Sequence, residues 1–495
     1  MDAVIVNPGG RKQLYQSLAN SLTAIEPPMW SRLIAGYLLD KNLSVEILDT
    51  EALSLDSISA TEILLEQSPL LIVIVVFGHQ PSASTQTMMA ARALAKEIKQ
   101  QRVKQKIIIV GGHAAALSER TLLEEPVDFV CSGEGPTTCF QLIEEIKGAG
   151  EYSNVAGLVW QDSFSKVIHN APAPLISDLD NELHGNVWHL LPMDKYRAHN
   201  WQCFGELETR QPYASIYTTL GCPFKCVFCC INAPFNESRY RCRSPQVVVD
   251  EIEMLYQEYG VKTFKIVDEM FVLKKTHYLK ICQLLADKPY AKELNIWAYA
   301  RIDTVQESTL ALMRRAGIKW LALGIESADE SVRDGANKSL KSEAIIKIVK
   351  SIQAADINVI GNFIFGLPED SIATMQNTLT LAKDLNCEFA NFYSAMAYPG
   401  SKLYQDAINN NVELPKDWSG YSQHSYDCLP LASLYESSAT ILKFRDDAFH
   451  EYFSNNHYLD FIESKFGLET RKHIVDMSQS RLARQLLNKE AEMDE

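Results

Sequence analysis

Short apolar runs alternate with helical patterns through the first 150 residues of the chain. Runs typical of strands lie at residues 3–7, 44–48, 70–77, 107–110 and 129–131. Between them, apolar residues recur at helical spacing, most clearly over residues 28–39, 84–100 and 137–146. This alternation predicts an α/β fold with a doubly wound parallel sheet for residues 1–150. The run at 70–77, LLIVIVVF, is too short to cross a bilayer and predicts a buried parallel strand.

A second alternation follows a less regular stretch. Residues 151–205 keep no sustained period and show one short strand signal at 157–161, so we predict a connector. Strand patterns then recur at 215–220, 263–267, 296–300, 320–324, 359–365 and 389–395, with helical patterns clearest at 245–259, 340–355 and 371–385. Six strand–helix units predict a partial (β/α)6 barrel over residues 206–405, with its site at the carboxyl ends of the strands.

The last segment, residues 406–495, begins as a loop rich in aromatic residues and histidine. Helical patterns follow at 433–453, 459–466 and 470–487. One interpretation is a helical lid that only stabilises the barrel. The other is that the loop contacts a substrate through the side chains of Trp418, Tyr421, His424 and Tyr426. The sequence leaves both interpretations open.

Composition and charge narrow the classes of function. The net charge of −15 argues against a nucleic-acid partner, whose phosphates need a basic face. The first residues lack the basic and apolar regions of a signal peptide, and no apolar run is long enough for a transmembrane helix. We therefore expect a cytoplasmic location, where thiols stay reduced and the 11 cysteines form no disulfide framework.

Four of these cysteines fall within the ten residues GCPFKCVFCC at 221–230. Cys222, Cys226 and Cys229 have the spacing C-x3-C-x2-C and follow the first strand of the predicted barrel. A structural zinc site normally needs four ligands, as does a four-cysteine iron–sulfur site. The candidates for the fourth are adjacent to Cys229 or isolated along the chain: Cys230, Cys203 and Cys242. Zinc stays an alternative, whereas three thiolates on a four-iron cluster would leave one iron open for a small molecule.

The motif C-x3-C-x-Φ-C, with aromatic Phe228 before Cys229, resembles that of the radical S-adenosylmethionine (SAM) enzymes. The resemblance implies a [4Fe-4S] cluster held by Cys222, Cys226 and Cys229, whose open iron binds the amino and carboxylate groups of SAM. It also implies an electron donor such as a flavodoxin or a ferredoxin, because one electron cleaves SAM to a 5′-deoxyadenosyl radical.

The same resemblance implies SAM contacts beside the motif and at the ends of the barrel strands. The residues are Phe228, Asp268, Glu269, Arg301, Glu326, Ser327 and Asn362. Carboxylates there can accept hydrogen bonds from the ammonium and ribose hydroxyls, and an arginine can bind a carboxylate through two parallel hydrogen bonds. Local ion pairing would explain any single one of the carboxylates, or the arginine. Asp268 and Glu269 stand where the family usually has Gly-Gly-Glu, which changes the expected contact to the amino group.

The segments IIIVGGH at 107–113 and FVCSGEG at 129–135 resemble the cobalamin-binding domain that precedes many radical enzymes, as does the Glu26-Pro27-Pro28 stretch. The resemblance covers nearly all of residues 1–150 and implies a Rossmann-like fold. Glycines at the strand ends let the backbone approach a ligand closely. The expected cobalamin contacts are Asn7, Gly9, Gly78, His79, Gly111, Gly112, His113, Gly133, Glu134 and Gly135.

The loop after the first strand departs from many cobalamin proteins, because it lacks the histidine of their Asp-x-His-x-x-Gly motif. Radical enzymes of this type often lack that lower ligand, so the departure is consistent with them. His79 either approaches the lower face of cobalamin or is an ordinary loop histidine, and the latter applies to His113 as well. A nucleotide-binding domain without cobalt is the alternative, although the phosphate-binding G-x-G-x-x-G is missing.

The resemblance extends over residues 1–405. It implies an enzyme that uses methylcobalamin and a 5′-deoxyadenosyl radical to methylate an unactivated carbon of a small polar or lipid-like metabolite. Some members of this family close, contract or rearrange rings without net methyl transfer, and that alternative stays open. Two alternatives come from other classes: a non-catalytic protein that responds to cobalamin or SAM, and a zinc-stabilised scaffold.

Overall fold

The computed structural model of the protein describes residues 1–19, 22–78, 83–338 and 340–488. It contains two largely parallel sheets, one in each α/β region, followed by a group of helices at the carboxyl end. This arrangement confirms the fold class expected from the alternation of strand and helix patterns. Within these ranges, no helix combines the length and apolar character needed to cross a membrane.

The first sheet has seven strands in the order β2-β1-β3-β4-β5-β6-β7. The strands are β1 (Ala3–Asn7), β2 (Val45–Asp49), β3 (Leu71–Val75), β4 (Lys106–Val110), β5 (Phe129–Cys131), β6 (Leu158–Gln161) and β7 (Val167–His169). The helices are α1 (Arg11–Leu14), α2 (Met29–Asp40), α3 (Ser57–Gln67), α4 (Ala83–Gln101), α5 (Gly112–Ala116), α6 (Ser118–Glu124) and α7 (Pro136–Lys147). Strands β1 to β5 are parallel, and the strand order reverses between β1 and β3. Open α/β sheets bind ligands beyond the carboxyl ends of their strands at such a point.

The connector predicted over residues 151–205 differs from expectation in its first part. Strands β6 and β7 form an antiparallel hairpin there, and β6 pairs with β5. The hairpin covers an edge that would otherwise expose unpaired backbone groups. The sequence indicated only the first of these two strands. The division of the chain at residue 150 stays a prediction.

The second sheet has six parallel strands in the order β15-β14-β13-β12-β11-β8. The strands of this region are β8 (Tyr213–Ile216), β9 (Thr219–Leu220), β10 (Arg241–Cys242), β11 (Thr263–Ile266), β12 (Asn295–Arg301), β13 (Ile318–Glu326), β14 (Asn358–Phe365) and β15 (Phe389–Ser394). The helices are α8 (Pro245–Tyr259), α9 (Lys275–Ala286), α10 (Glu307–Arg315), α11 (Glu330–Gly335), α12 (Ser342–Ala354), α13 (Ile372–Leu385) and α14 (Lys402–Asn409). The strand predicted at 215–220 ends early, because Thr219–Leu220 leaves the sheet to pair with Arg241–Cys242.

Three helices follow at the carboxyl end: α15 (Ser438–Phe453), α16 (Asn456–Phe466) and α17 (Leu468–Ser478). The helix predicted to run to residue 487 stops at Ser478, and after an irregular stretch the chain is helical again over residues 485–488. In the irregular stretch, Arg484 pairs with Asp446 and donates hydrogen bonds to the carbonyls of Gln423 and Ser425. These contacts hold the chain in an irregular path across the aromatic loop.

Buried ion pairs connect the first domain to the barrel. Such pairs are Glu134–Arg241 at 2.5 Å, Glu26–Lys265 at 3.0 Å and Arg32–Glu251 at 3.4 Å. The side chains of Glu134 and Arg241 are each only 5% exposed. Desolvating two charges is costly, and removing one partner leaves the other charge buried without compensation. The pairs therefore oppose any sliding of one domain past the other.

We expect Arg241→Met to lower the free energy of unfolding by about 3–5 kcal/mol, because it leaves the buried Glu134 carboxylate without its partner. Urea denaturation measures the change. As a control, Arg314→Met breaks an exposed pair with Asp356 and should cost about 1 kcal/mol or less. Equal losses in the two variants would contradict a special role for the buried pair.

Candidate active site

One cavity of about 340 Å³ lies where the carboxyl ends of the two sheets meet. The first domain lines it with Met29 and Trp30 of α2, Phe77 and Gly78 after β3, and Gly112 after β4. The barrel lines it with the cysteine loop and with the ends of β11 to β15. The two regions that the sequence marked separately, glycine-rich strand ends and clustered cysteines, therefore share one space.

The cysteine loop is held by hydrogen bonds to later segments of the barrel. The backbone N–H of Val227 donates to the carbonyl of Ala336 at 3.3 Å, and its carbonyl accepts from Leu403 at 3.0 Å. The side chain of Asn337 donates to the carbonyl of Lys225 at 2.9 Å. Residues 336–338, which follow α11, thus form a support for the loop that the sequence did not indicate.

Cys222, Cys226 and Cys229 are free thiols that line the cavity. Gly221 begins the loop at φ 83°, where a Cβ would collide with the carbonyl of Arg239. Burial raises the pKa of all three thiols, that of Cys222 to about 11. They are therefore neutral without metal, and a bound metal centre must supply the positive charge that stabilises the thiolates.

In the described part of the chain, no three or more His, Cys, Asp or Glu side chains are grouped to hold a single metal ion. A four-iron cluster makes a different demand, because each thiolate binds its own iron and the sulfurs stand further apart. The thiols of Cys222, Cys226 and Cys229 all line the cavity, as does that of the adjacent Cys230, without forming a single-ion site, so they are a donor set of the second kind. The fit is therefore to a cluster with one iron left open toward the cavity.

Glu269 is the cavity residue with the most perturbed carboxyl group. It follows β11, and its Oε2 is buried without a hydrogen-bond partner. Burial raises the pKa of Glu269 to about 8, and the neighbouring carboxylate of Asp268 adds to the shift. A carboxyl group in this position is ready to bind an incoming cation, which would restore its charge.

Asp268 does not line the cavity. Its carboxylate accepts hydrogen bonds from the backbone N–H and the hydroxyl of Thr218, at 2.6 and 2.5 Å. The Thr218 hydroxyl also contacts the buried ring of His277 at 3.1 Å. Asp268 therefore ties the end of β11 to the chain leading into the cysteine loop, whereas its neighbour Glu269 lines the cavity.

Arg301 lines the cavity, but most of its guanidinium is already bound. Its Nε and Nη2 donate to the two carboxylate oxygens of Asp303, each at 2.9 Å. Its Nη1 donates to the Sγ of Cys226 at 3.8 Å. Asp303, a residue that the sequence did not single out, therefore occupies one of the two nitrogen pairs through which a guanidinium can clamp a carboxylate in parallel.

Glu326 lines the cavity together with Lys338, to which it is paired at 2.5 Å with both side chains 6% exposed. Asn362 and Phe228 also line the cavity. Ser327 lies elsewhere, since its hydroxyl contacts Thr378 at 3.1 Å in the interior. Lys338 had no signal in the sequence, because it lies on a loop and its partner is 12 residues away.

Among the first-domain residues, Gly78 and Gly112 reach the cavity. Gly78 has φ 71° and a Cβ there would lie 2.7 Å from that of Ala83, so only glycine fits. Asn7 and Gly9 instead hold the β1 end, through hydrogen bonds to Asp49 at 2.9 Å and Thr50 at 2.7 Å. His79 lies outside the described residues.

His113 and Glu134 do not line the cavity. The ring of His113 is buried against Trp418, with centroids 4.4 Å apart, and burial lowers its pKa to about 3. The carboxylate of Glu134 is bound to Arg241 and to the backbone N–H of Ile176. The remaining three expected glycines, Gly111, Gly133 and Gly135, lie at the ends of β4 and β5 but not on the cavity wall.

The aromatic loop packs on the first domain. The indole N–H of Trp418 donates to Glu125 at 3.0 Å, and Tyr421 belongs to the same buried cluster. His424 stacks on Tyr15 at 4.7 Å. None of these three lines the cavity, but Gln423 does, so the loop contributes a residue that the sequence did not indicate.

Comparison with known proteins accounts for both halves of this site. The radical SAM superfamily matches residues 216–382, and the B12 binding domain matches residues 15–143. An uncharacterized methyltransferase of Pyrococcus horikoshii is 31% identical over 342 residues, which are 69% of this chain and 71% of that protein. The chain belongs to the radical SAM superfamily and carries a B12-binding domain.

Two further proteins resemble it over more of its length. An anaerobic magnesium-protoporphyrin IX monomethyl ester cyclase of Rubrivivax gelatinosus is 24% identical over 409 residues, 81% of this chain and 69% of its own. The fold is that of the radical SAM methyltransferase TsrM of Kitasatospora setae, solved with cobalamin and a [4Fe-4S] cluster. The two agree with a TM-score of 0.69 and 16% identity over 97% of this chain and 99% of that one. The family expected from the cysteine motif is confirmed.

Glu269 gives the radical SAM site a testable dependence on pH. Its folded-state pKa of about 8 lies above the ordinary 4.5, so folding becomes less favourable as pH rises between these values. Glu269→Gln removes this titration. We expect the variant to gain stability over the wild type by on the order of 3 kcal/mol from pH 5 to pH 8.5.

Urea denaturation of the cofactor-free protein across this pH range measures that gain. The exposed Glu413 offers the same chemical change at the surface, where Glu413→Gln should stay within about 0.5 kcal/mol of the wild type. A stability difference for Glu269→Gln that does not change with pH would contradict the raised pKa.

Proposed function

We propose that this protein is a cobalamin-dependent methyltransferase that acts on an unactivated carbon of a small molecule. The observation that carries the proposal is the shared cavity, which brings Gly78 and Gly112 of the B12-binding domain to the same space as the three clustered cysteines. A reaction that needs a radical and a methyl donor on one substrate requires both cofactors to reach one space.

Cys222, Cys226 and Cys229 would hold the [4Fe-4S] cluster, and the glycine-rich ends of β3 and β4 would approach cobalamin. When bound, these groups and SAM supply a 5′-deoxyadenosyl radical and a methyl group. Glu269, which lines the cavity and whose buried Oε2 has no hydrogen-bond partner, would bind the ammonium of SAM. Glu326 and Asn362 would face its remaining polar groups.

The cavity wall also limits what the substrate can be. The charged side chains on the wall, within the described ranges, all come from the barrel: Glu269, Arg301, Glu326 and Lys338. The first domain contributes apolar groups, with Trp30 stacked on Phe77 at 4.1 Å. An apolar wall excludes water from the radical and favours a small, largely uncharged region of the substrate. A polar or lipid-like metabolite with such a region fits the proposal.

The proposal also covers the location of the protein, its partners and its functional units. All 11 cysteines are free, which supports a reducing, cytoplasmic location. The proposed radical chemistry requires one electron, so it includes an electron donor such as a flavodoxin or a ferredoxin. The net charge of −15 supports a partner other than nucleic acid. The functional units would be the B12-binding domain at 1–150, a connector at 151–205, the barrel at 206–405 and a carboxyl-terminal lid at 406–495.

Ring closure without net methyl transfer is the second candidate function. Likeness to the Rubrivivax cyclase over 81% of this chain supports it. Both functions use the same cofactors and the same cavity, so they differ in products rather than in the binding of the cluster.

Cys226→Ala should abolish cluster assembly, because it removes one of the three thiolates that would bind the cluster. Cobalamin binding should persist, since it depends on the other domain. Iron and sulfide analysis after anaerobic reconstitution measures cluster assembly. The absorption spectrum of bound cobalamin measures cobalamin binding. Cys242→Ala is the matched control, because Cys242 is a free thiol outside the cavity. Full iron content in the Cys226 variant would refute the ligand assignment.

The reaction itself is tested with the reconstituted protein, methylcobalamin, reductant, SAM and candidate substrates. We expect 5′-deoxyadenosine and S-adenosylhomocysteine to rise together, because methyl transfer consumes one SAM as radical source and one as methyl donor. Mass spectrometry of one sample quantifies both, and the Cys226→Ala protein gives the background. Deoxyadenosine without S-adenosylhomocysteine would replace methyl transfer by ring closure or rearrangement.

A further inference from the structure

Cys226 differs from the other two cysteines in its contact with a positively charged side chain. The Nη1 of Arg301 donates to its Sγ at 3.8 Å. The guanidinium also lies over the ring of Phe224, 4.0 Å from the ring centroid. Asp303 holds the other two nitrogens at 2.9 Å each. The guanidinium is therefore fixed on three sides, with its remaining nitrogen directed at sulfur.

A second cation lies in the same environment. Lys338 lines the cavity and belongs to the segment whose residues Ala336 and Asn337 hold the cysteine loop. Each cation is paired with a carboxylate, Lys338 with Glu326 and Arg301 with Asp303. Of the two, Arg301 is the one that donates a hydrogen bond to the sulfur.

We propose that Arg301 stabilises the reduced form of the cluster bound at Cys226, rather than clamping the carboxylate of SAM. This inference rests on the proposed assignment of Cys226 as a cluster ligand. Reduction takes one electron from the external donor and adds it to the cluster, and no bond or proton of the protein changes. Hydrogen bonds to the ligating sulfur and a nearby positive charge favour the more negative state, and so raise the reduction potential.

The test compares the cluster in the wild type and in Arg301→Gln, without SAM or cobalamin. Each protein is reconstituted with iron and sulfide, poised with dithionite and mediators at fixed potentials, and its reduced cluster is quantified by electron paramagnetic resonance per iron bound. We expect the ratio of reduced to oxidised cluster to fall about tenfold at a given potential, a shift of about 59 mV for one electron. Arg301→Lys, which keeps the charge, should recover part of the loss.

Arg314→Gln is the matched control, because Arg314 forms a similar pair with Asp356 on the surface of α10. It should leave the ratio unchanged. Arg301→Gln should also keep an affinity for SAM close to that of the wild type, measured by equilibrium dialysis on the reconstituted protein. An unchanged ratio of reduced to oxidised cluster at full iron content would overturn the proposal. A large loss of SAM affinity would also overturn it, because it would indicate that Arg301 binds the carboxylate of SAM.

If Arg301→Gln takes up no iron, the same ratio of reduced to oxidised cluster is measured in Asp303→Asn instead. That change removes the carboxylate that partly neutralises the guanidinium, so the ratio of reduced to oxidised cluster should rise. A ratio that stays the same or falls would overturn the proposal. If the wild type itself takes up no iron and sulfide, the assignment of the cluster ligands fails instead.

Discussion

The buried ion pairs between the two domains are the constraint on which the site depends. The cavity is lined mainly by the B12-binding domain on one side and the barrel on the other, and Gln423 of the aromatic loop completes it. Glu134–Arg241, Glu26–Lys265 and Arg32–Glu251 each join the two, and each would leave a charge buried and unpaired if the domains moved apart. Such pairs add little net stability compared with apolar packing, but they define one position of the first domain relative to the barrel, its register. The distance between the two cofactor sites is fixed by that register.

Glu134 shows how a motif residue can serve the interface. It lies in the FVCSGEG segment, where the family resemblance suggests a cobalamin contact, yet its carboxylate is bound to Arg241 on the barrel side. Arg241 also donates to the carbonyl of Ile176 in the connector, so one side chain joins three parts of the chain. Asp268 is a parallel case inside the barrel, because it positions the approach to the cysteine loop through Thr218 while Glu269 faces the cavity.

The sequence predicts the parts of this protein that depend on short-range patterns. Period-two and helical patterns identified most strands, and cysteine spacing on a loop after a strand identified the family. Long-range partners leave no such pattern. In the sequence, Trp418 is a candidate for a pocket aromatic. In the structure its indole N–H donates to Glu125, 293 residues away, in the interior. Likewise Arg301 looks like a ligand clamp until Asp303 and Cys226 occupy its nitrogens, since no spacing rule tells whether a neighbour or a ligand will be the partner.

The end of β13 shows how local strain is used to keep a charged group on the cavity wall. The pairing between β13 and β14 shifts register between Gly324 and Glu326, and Glu326 has φ 66°, a backbone region that costs a side-chain-bearing residue roughly 1–2 kcal/mol. A Cβ at position 324 would collide with the amino group of Lys338 and with the Glu326 carboxylate. The buried ion pair therefore accounts for both features: a Cβ at 324 would displace the paired groups, and loss of the pair would leave Lys338 uncompensated, which costs more than the strained backbone. The distortion keeps the Glu326 carboxylate on the cavity wall, next to the cysteine loop that the Lys338 segment supports.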